Sequence, residues 1–123
     1  MQTAVLDLGR ILFGGFFIMS GYNHFARLGM MAGYSQSKGV PAANIAVAAT
    51  GVLLLIGGIS VLFNLYPVIG LAALVMFFVP VTFMMHPYWK IEDPMAKMGE
   101  RVNFTKNIAL LGATLILLSG YLN

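Results

Sequence analysis

The sequence predicts an all-α integral membrane protein, a bundle of four transmembrane helices. Three observations predict it. Of 123 residues, 59% are hydrophobic and 9% are charged, whereas a soluble domain has about 25% charged. Seven Lys/Arg and four Asp/Glu cannot cover a water-soluble surface of this size. The apolar residues fall in four runs, at about 4–25, 44–65, 67–85 and 104–122, each close to the roughly 20 residues that a helix needs to cross a bilayer. The polar residues gather in two longer connections. One membrane domain spanning 1–123 is expected, with no soluble domain beside it.

The first span carries the sharpest pattern. Asp7, Arg10, Gly14, Phe17, Gly21 and His24 recur at steps of three and four. At about 100° per residue they share one face, which should look into the bundle while Leu, Ile, Phe and Met face lipid. Glycines on such a face let helices approach closely. The segment lacks a basic leader and a small-x-small cleavage site, so it reads as a retained helix and not a signal peptide.

The stretch 26–43 reads as a polar loop holding Arg27, Tyr34, Ser35, Ser37, Lys38, Gly39 and Pro41, with Asn44 as N-cap of the second span. Ala48, Gly51 and Gly58 form a small-residue seam in that span. Asn64-Leu65-Tyr66-Pro67 is a tight connection, and Pro67 suits the first helical position of the third span. Pro80 within the third span cannot donate its backbone bond. It frees the carbonyl of Met76, for which Thr82 or another helix is the expected partner, and a kink is expected. The stretch 86–103 reads as the second polar loop, with Asn103 capping the fourth span; Tyr121 falls at an interface.

Four spans place both long loops on one side. They hold Arg27, Lys38, Lys90, Lys97 and Arg101, with Lys106 just inside the fourth span; the other side offers only Arg10. The bias puts the loops in the cytoplasm and both termini outside. The net charge of +3 is scattered, and no basic stripe with interleaved aromatics suggests nucleic acid. There is no cysteine, which excludes disulfides, thiolate nucleophiles and iron–sulfur ligation. No Ser-His-Asp set, phosphate loop, close carboxylate pair or third metal ligand is visible, so no catalytic residue is assigned. Nine methionines read as flexible packing.

Two polar clusters remain. Asp7 and Arg10 lie one to two turns inside the outer interface. They read either as an ion pair fixing the first span in register, with Asn64 or Tyr66 nearby, or as a site for an anionic or carbonyl ligand. At the opposite interface, His24 and His86 end the first and third spans. Lys106 and Asn107 open the fourth, and Trp89 and Lys38 come from the loops. Lys106 in a first helical turn opposes the helix dipole and wants an anion, Asp93, Glu100, a lipid phosphate or a ligand. The cluster reads either as an anchoring belt among headgroups or as a pocket for a quinone or similar amphiphile, with His and Lys bonding a carbonyl and Trp supplying a ring face. Two histidines at helix ends are weak grounds for haem.

Leu8-Gly9-Arg10, Ser20-Gly21, Ser37-Lys38-Gly39-Val40-Pro41, His86-Pro87-Tyr88-Trp89 with Asp93-Pro94, and Asn103-Phe104-Thr105-Lys106-Asn107 leading to Gly112 resemble the DoxX family, in order along almost the whole chain. The family often has Lys where this chain has His24, and Phe where it has Tyr88. The resemblance implies a four-helix bundle in the prokaryotic cytoplasmic membrane and a quinone-linked or redox-stress setting. Family members are associated with a small subunit of a terminal quinol oxidase or of a thiosulfate:quinone oxidoreductase.

Three functions stay open. The chain is a non-catalytic subunit or binding module of a quinone-linked complex, holding a quinone or lipid-like ligand or docking a redox partner. Alternatively it is a small transporter, which requires a water-accessible path between the two clusters, or an assembly factor without ligand. Glycine seams also suit pairing as a homodimer.

Overall fold

A computed structural model describes residues 1–123. Helix α1 runs Gln2–Ala26, α2 Leu28–Ser37, α3 Ala43–Phe63, α4 Pro67–Met85 and α5 Pro94–Ser119, with a single 3₁₀ turn at Tyr88–Lys90 and no strand. Helices α1, α3, α4 and α5 are long and apolar enough to cross a membrane. The chain is an all-α membrane protein with four spans. Its broad exposed apolar faces, among them Val5, Leu12 and Met19 on α1 and Leu115 and Ile116 on α5, are surfaces for lipid.

Packing follows chain order: α1 on α3, α3 on α4, α4 on α5, with α2 laid on α3. Helices α1 and α5 form the two flanks and are not a packed pair. At the centre Phe17, Leu54, Leu71, Leu74 and Phe78 make one buried cluster. The Phe17 and Phe78 rings meet edge-on with centroids 5.6 Å apart, a favoured aromatic geometry. Where α1 crosses α3, the backbones of Gly14 and Gly58 are in contact. A Cβ built on Gly58 would stand 2.8 Å from the Gly14 carbonyl oxygen. The α3–α4 turn is pinned by Ser60, whose hydroxyl donates to the carbonyls of Leu65 and Tyr66. Asn64 and Tyr66 both take left-handed backbone there, a conformation that Asn tolerates better than most residues.

Two expected loops are corrected. The stretch 26–43 contains α2. Gly39, at φ +84°, ends that helix in a Schellman arrangement: the Gly39 amide donates to Gln36 and the Val40 amide to Ser35. Asn44 is not a cap, because Ala42 holds that position. The stretch 86–103 is likewise not all loop. Helix α5 starts at Pro94 because Asp93 caps it, its carboxylate accepting from the Ala96 amide at 2.9 Å, and proline suits the position after the cap. Asn103 is therefore mid-helix. The Thr82 hydroxyl is buried with no partner, so it does not take up the Met76 carbonyl.

Removing the cap gives a local test. Asp93→Ala should destabilise the start of α5 by about 1 kcal/mol, read as faster amide hydrogen exchange over residues 94–97. Unchanged exchange there would show that the cap does not hold this helix end.

Candidate functional site

Starting α5 at Pro94 puts Glu100 on its inner face, nearly two turns in. The carboxylate is buried and gathers three elements. Lys38 Nζ, just past α2, donates to Oε2 at 3.1 Å; His86 Nδ1, just past α4, donates to Oε1 at 2.6 Å; Asn103 Nδ2, one turn along α5, donates to Oε1 at 3.1 Å. The Lys38 ammonium also lies 5.4 Å from the Tyr34 ring centroid. Burial works against the Lys38 charge, but Glu100 and Tyr34 outweigh it and raise its pKa above the ordinary 10.5. An unfolded Lys38 returns to the ordinary value. Its contribution to stability is therefore complete below pH 10.5 and is lost as pH rises through the raised value.

Beside this node a cleft of about 480 Å³ opens among α1, α3, α4 and α5, with α2 at one end. That volume suits a small-molecule head group. Its walls are mostly apolar, with Phe16, Phe17, Phe77 and Phe78 among them. Polar side chains also line it: His24, His86, Lys106 and Asn107, together with Ser20, Asn23, Tyr34, Ser35 and Thr50. A second, smaller-walled cleft shares Phe16, Phe17, Lys106 and Leu110 and continues along the seam between α1 and α5 as far as Gly9.

Each polar group has a traceable position. His24 is held against α3 because Gly51 has no side chain there; a Cβ on Gly51 would come 2.8 Å from the His24 Cβ. Its Nδ1 lies 3.0 Å from the Val47 carbonyl and 3.2 Å from the Thr50 hydroxyl. Asn107 is 7% exposed as a residue; its amide makes no hydrogen bond within the protein but keeps some accessible surface, since Thr82 Oγ1 is the one fully buried side-chain polar atom without a partner. Lys106 is corrected in two respects. It stands twelve residues after Pro94, roughly three turns into the helix and beyond the first-turn dipole. Neither expected carboxylate pairs with it: Asp93 caps α5, and Glu100 is bonded to Lys38 and His86.

Of the other candidates, Lys38 reaches the Glu100 node and does not line the cleft. Trp89 does not line it either; it is 48% exposed and packs edge-on against Tyr88 and Phe104. Arg10 is fourteen residues from His24 along α1, about 20 Å, and belongs to the other end. Its contact with Asp7 is 4.0 Å, with the Asp7 side chain 62% exposed. An exposed pair at that distance contributes little. Asn64 accepts from the Tyr121 hydroxyl at 3.4 Å and not from Arg10.

A family model described as DoxX matches residues 5–87. No curated protein and no solved structure matches the chain.

Proposed function

This chain belongs to the DoxX family, and from that premise we propose that it is a non-catalytic membrane binding module that holds a quinone-like amphiphile in the cleft between α1 and α5. The observation that carries the reading is the pairing of an aromatic-walled cleft with two polar groups that line it and that the protein leaves unbonded, the Lys106 ammonium and the Asn107 amide. A cation and an amide without partners at membrane depth are costly, and a ligand carrying oxygen acceptors offsets that cost. The seam toward Gly9 gives room for an apolar tail. A partner subunit supplies the electrons, docking on the loops, which the Lys/Arg bias assigns to the cytoplasm. The apolar cluster between the Asp7–Arg10 end and the Glu100 end speaks against the rival reading of a polar permeation path.

The test is extraction of protein purified from membranes in mild detergent, with bound small molecules identified by mass spectrometry. A stoichiometric quinone is the expected result, and Lys106→Met should lower its occupancy roughly tenfold, the effect of losing one hydrogen bond from a charged donor. Recovery of bulk phospholipid alone would sink the reading.

A further inference from the structure

Accepting the cleft as a ring-binding site, we propose that His24 makes it selective for head groups that present a hydroxyl, such as a phenol or a dihydroxy ring, over rings that present only carbonyls. The inference rests on which ring nitrogen of His24 holds the proton.

His24 Nδ1 faces two oxygens, the Val47 carbonyl at 3.0 Å and the Thr50 hydroxyl at 3.2 Å. A carbonyl only accepts. The Thr50 hydroxyl has one hydrogen, and the backbone carbonyls of Ala46 at 2.8 Å and Val47 at 3.1 Å are its acceptors, so toward His24 it offers a lone pair. Both neighbours therefore require a hydrogen on Nδ1. No carboxylate lines the cleft, and the one carboxylate close by, Glu100, is bound by Lys38, His86 and Asn103. A second proton on His24 would share the cleft with the Lys106 cation and meet no anion. With one proton on the ring, the Val47 carbonyl holds it on Nδ1, and Nε2 is then a lone pair. That nitrogen makes no hydrogen bond within the protein.

His86 is held by a different partner. Its Nδ1 donates to the Glu100 carboxylate at 2.6 Å, so its position is fixed by the node and not by the cleft. Lys106 only donates, and it serves a hydroxyl oxygen and a carbonyl oxygen equally. The Lys106 ammonium and the Asn107 amide thus offer donors toward a ligand, while His24 supplies an acceptor fixed by its own Nδ1 hydrogen bond. A carbonyl oxygen placed against Nε2 sets lone pair against lone pair; a hydroxyl there completes a hydrogen bond. Sites built around a ligand hydroxyl reject analogues without it far more strongly than apolar pockets reject a change of shape. The Phe77 ring, 6.2 Å from the His24 ring and edge-on to it, gives an aromatic head group a face to pack on.

The experiment measures the dissociation constants of a short-chain benzoquinol, kept reduced under argon, and of the matching benzoquinone, on the purified protein in detergent. Wild type should bind the quinol at least about tenfold more tightly. His24→Gln, whose amide offers both a donor and an acceptor, should bring that ratio close to one, while Thr50→Val, which leaves the Val47 carbonyl in place, should keep it. Equal or inverted affinities in wild type, or a preference that survives His24→Gln, would overturn the inference while leaving the ring site standing. Binding of neither form would overturn the ring site and this inference together. Nitrogen NMR of ¹⁵N-histidine protein gives a readout independent of any ligand: the His24 signals should show the Nδ1–H tautomer, and the Nε2–H tautomer would overturn the proposal even if the His24→Gln variant failed to fold.

Discussion

Gly14→Ala is expected to lower the midpoint of thermal unfolding in mild detergent by roughly 10 °C, while Gly15→Ala, one residue on, leaves it unchanged or raises it. A Cβ at Gly14 would meet the Gly58 carbonyl oxygen at 2.8 Å, the Leu62 amide nitrogen at 2.9 Å and the Leu62 Cβ at 3.0 Å. Two of those atoms are backbone of α3 and cannot swing aside, so relief requires α1 and α3 to separate. That pair forms the most extensive helix contact in the protein, and its separation also loosens Phe17 within the central cluster. Overpacking of this kind costs about 1–3 kcal/mol, and for a chain of this size each kcal/mol moves the midpoint by roughly 4 °C. At Gly15 a Cβ would meet nothing within 4 Å. There the helix gains up to about 1 kcal/mol from replacing glycine. The two variants share composition, helix and depth, so membrane insertion and expression affect both alike. If the two midpoints moved together, the glycine contact would not be what sets the α1–α3 distance.

The span count was readable because it depends only on run length and polarity, the two quantities a bilayer constrains most directly. The inward face of α1 was readable for a related reason: Gly14, Phe17 and Gly21 follow the helical period, and all three are buried. The ends of the helices were harder to read. Gly39 looked like loop composition, although glycine after a short Met- and Ala-containing stretch is also how helices terminate, and here it ends α2. Asp93-Pro94 is a cap followed by a proline at the first helical position, a start signal that lost out to the apolar run beginning near Phe104. Setting the start of α5 too late had a direct chemical consequence. It left Glu100 in a loop, hid its place on the inner face, and kept it among the anions open to Lys106 although Lys38 and His86 already hold it. His24, His86, Lys106 and Asn107 were legible as one end of the bundle. The direction of each hydrogen bond was not legible, since it depends on the Val47 carbonyl and on Thr50, which no spacing rule ties to His24.

Glu100→Ala should destabilise the protein by about 3 kcal/mol, a drop of roughly 10 °C in the midpoint. The side chain is only 9% exposed, so deletion does not hand its partners over to water. Lys38 and His86 are each about four-fifths buried as side chains and would be left facing an apolar gap. The loss therefore includes the cost of stranding their donors, which is larger than the net worth of the bonds themselves. Three elements share this one carboxylate, so the end of α2, the end of α4 and the start of α5 should loosen together. Amide exchange should rise in all three segments. Glu100→Gln should lose less, because its amide oxygen still accepts from His86 and Asn103, and only the charge facing Lys38 disappears. Combining Glu100→Ala with Lys38→Met should recover part of the loss, since the stranded ammonium goes too; this coupling between neighbours is what a double-mutant cycle measures. A midpoint unmoved by Glu100→Ala, or a double variant no more stable than the single one, would mean that Glu100 does not bind the three elements into one unit. The node lies beside the cleft and His86 belongs to both, so the same loosening should widen the α2 side of the cleft before it disturbs the Gly14–Gly58 contact at the middle of the bundle.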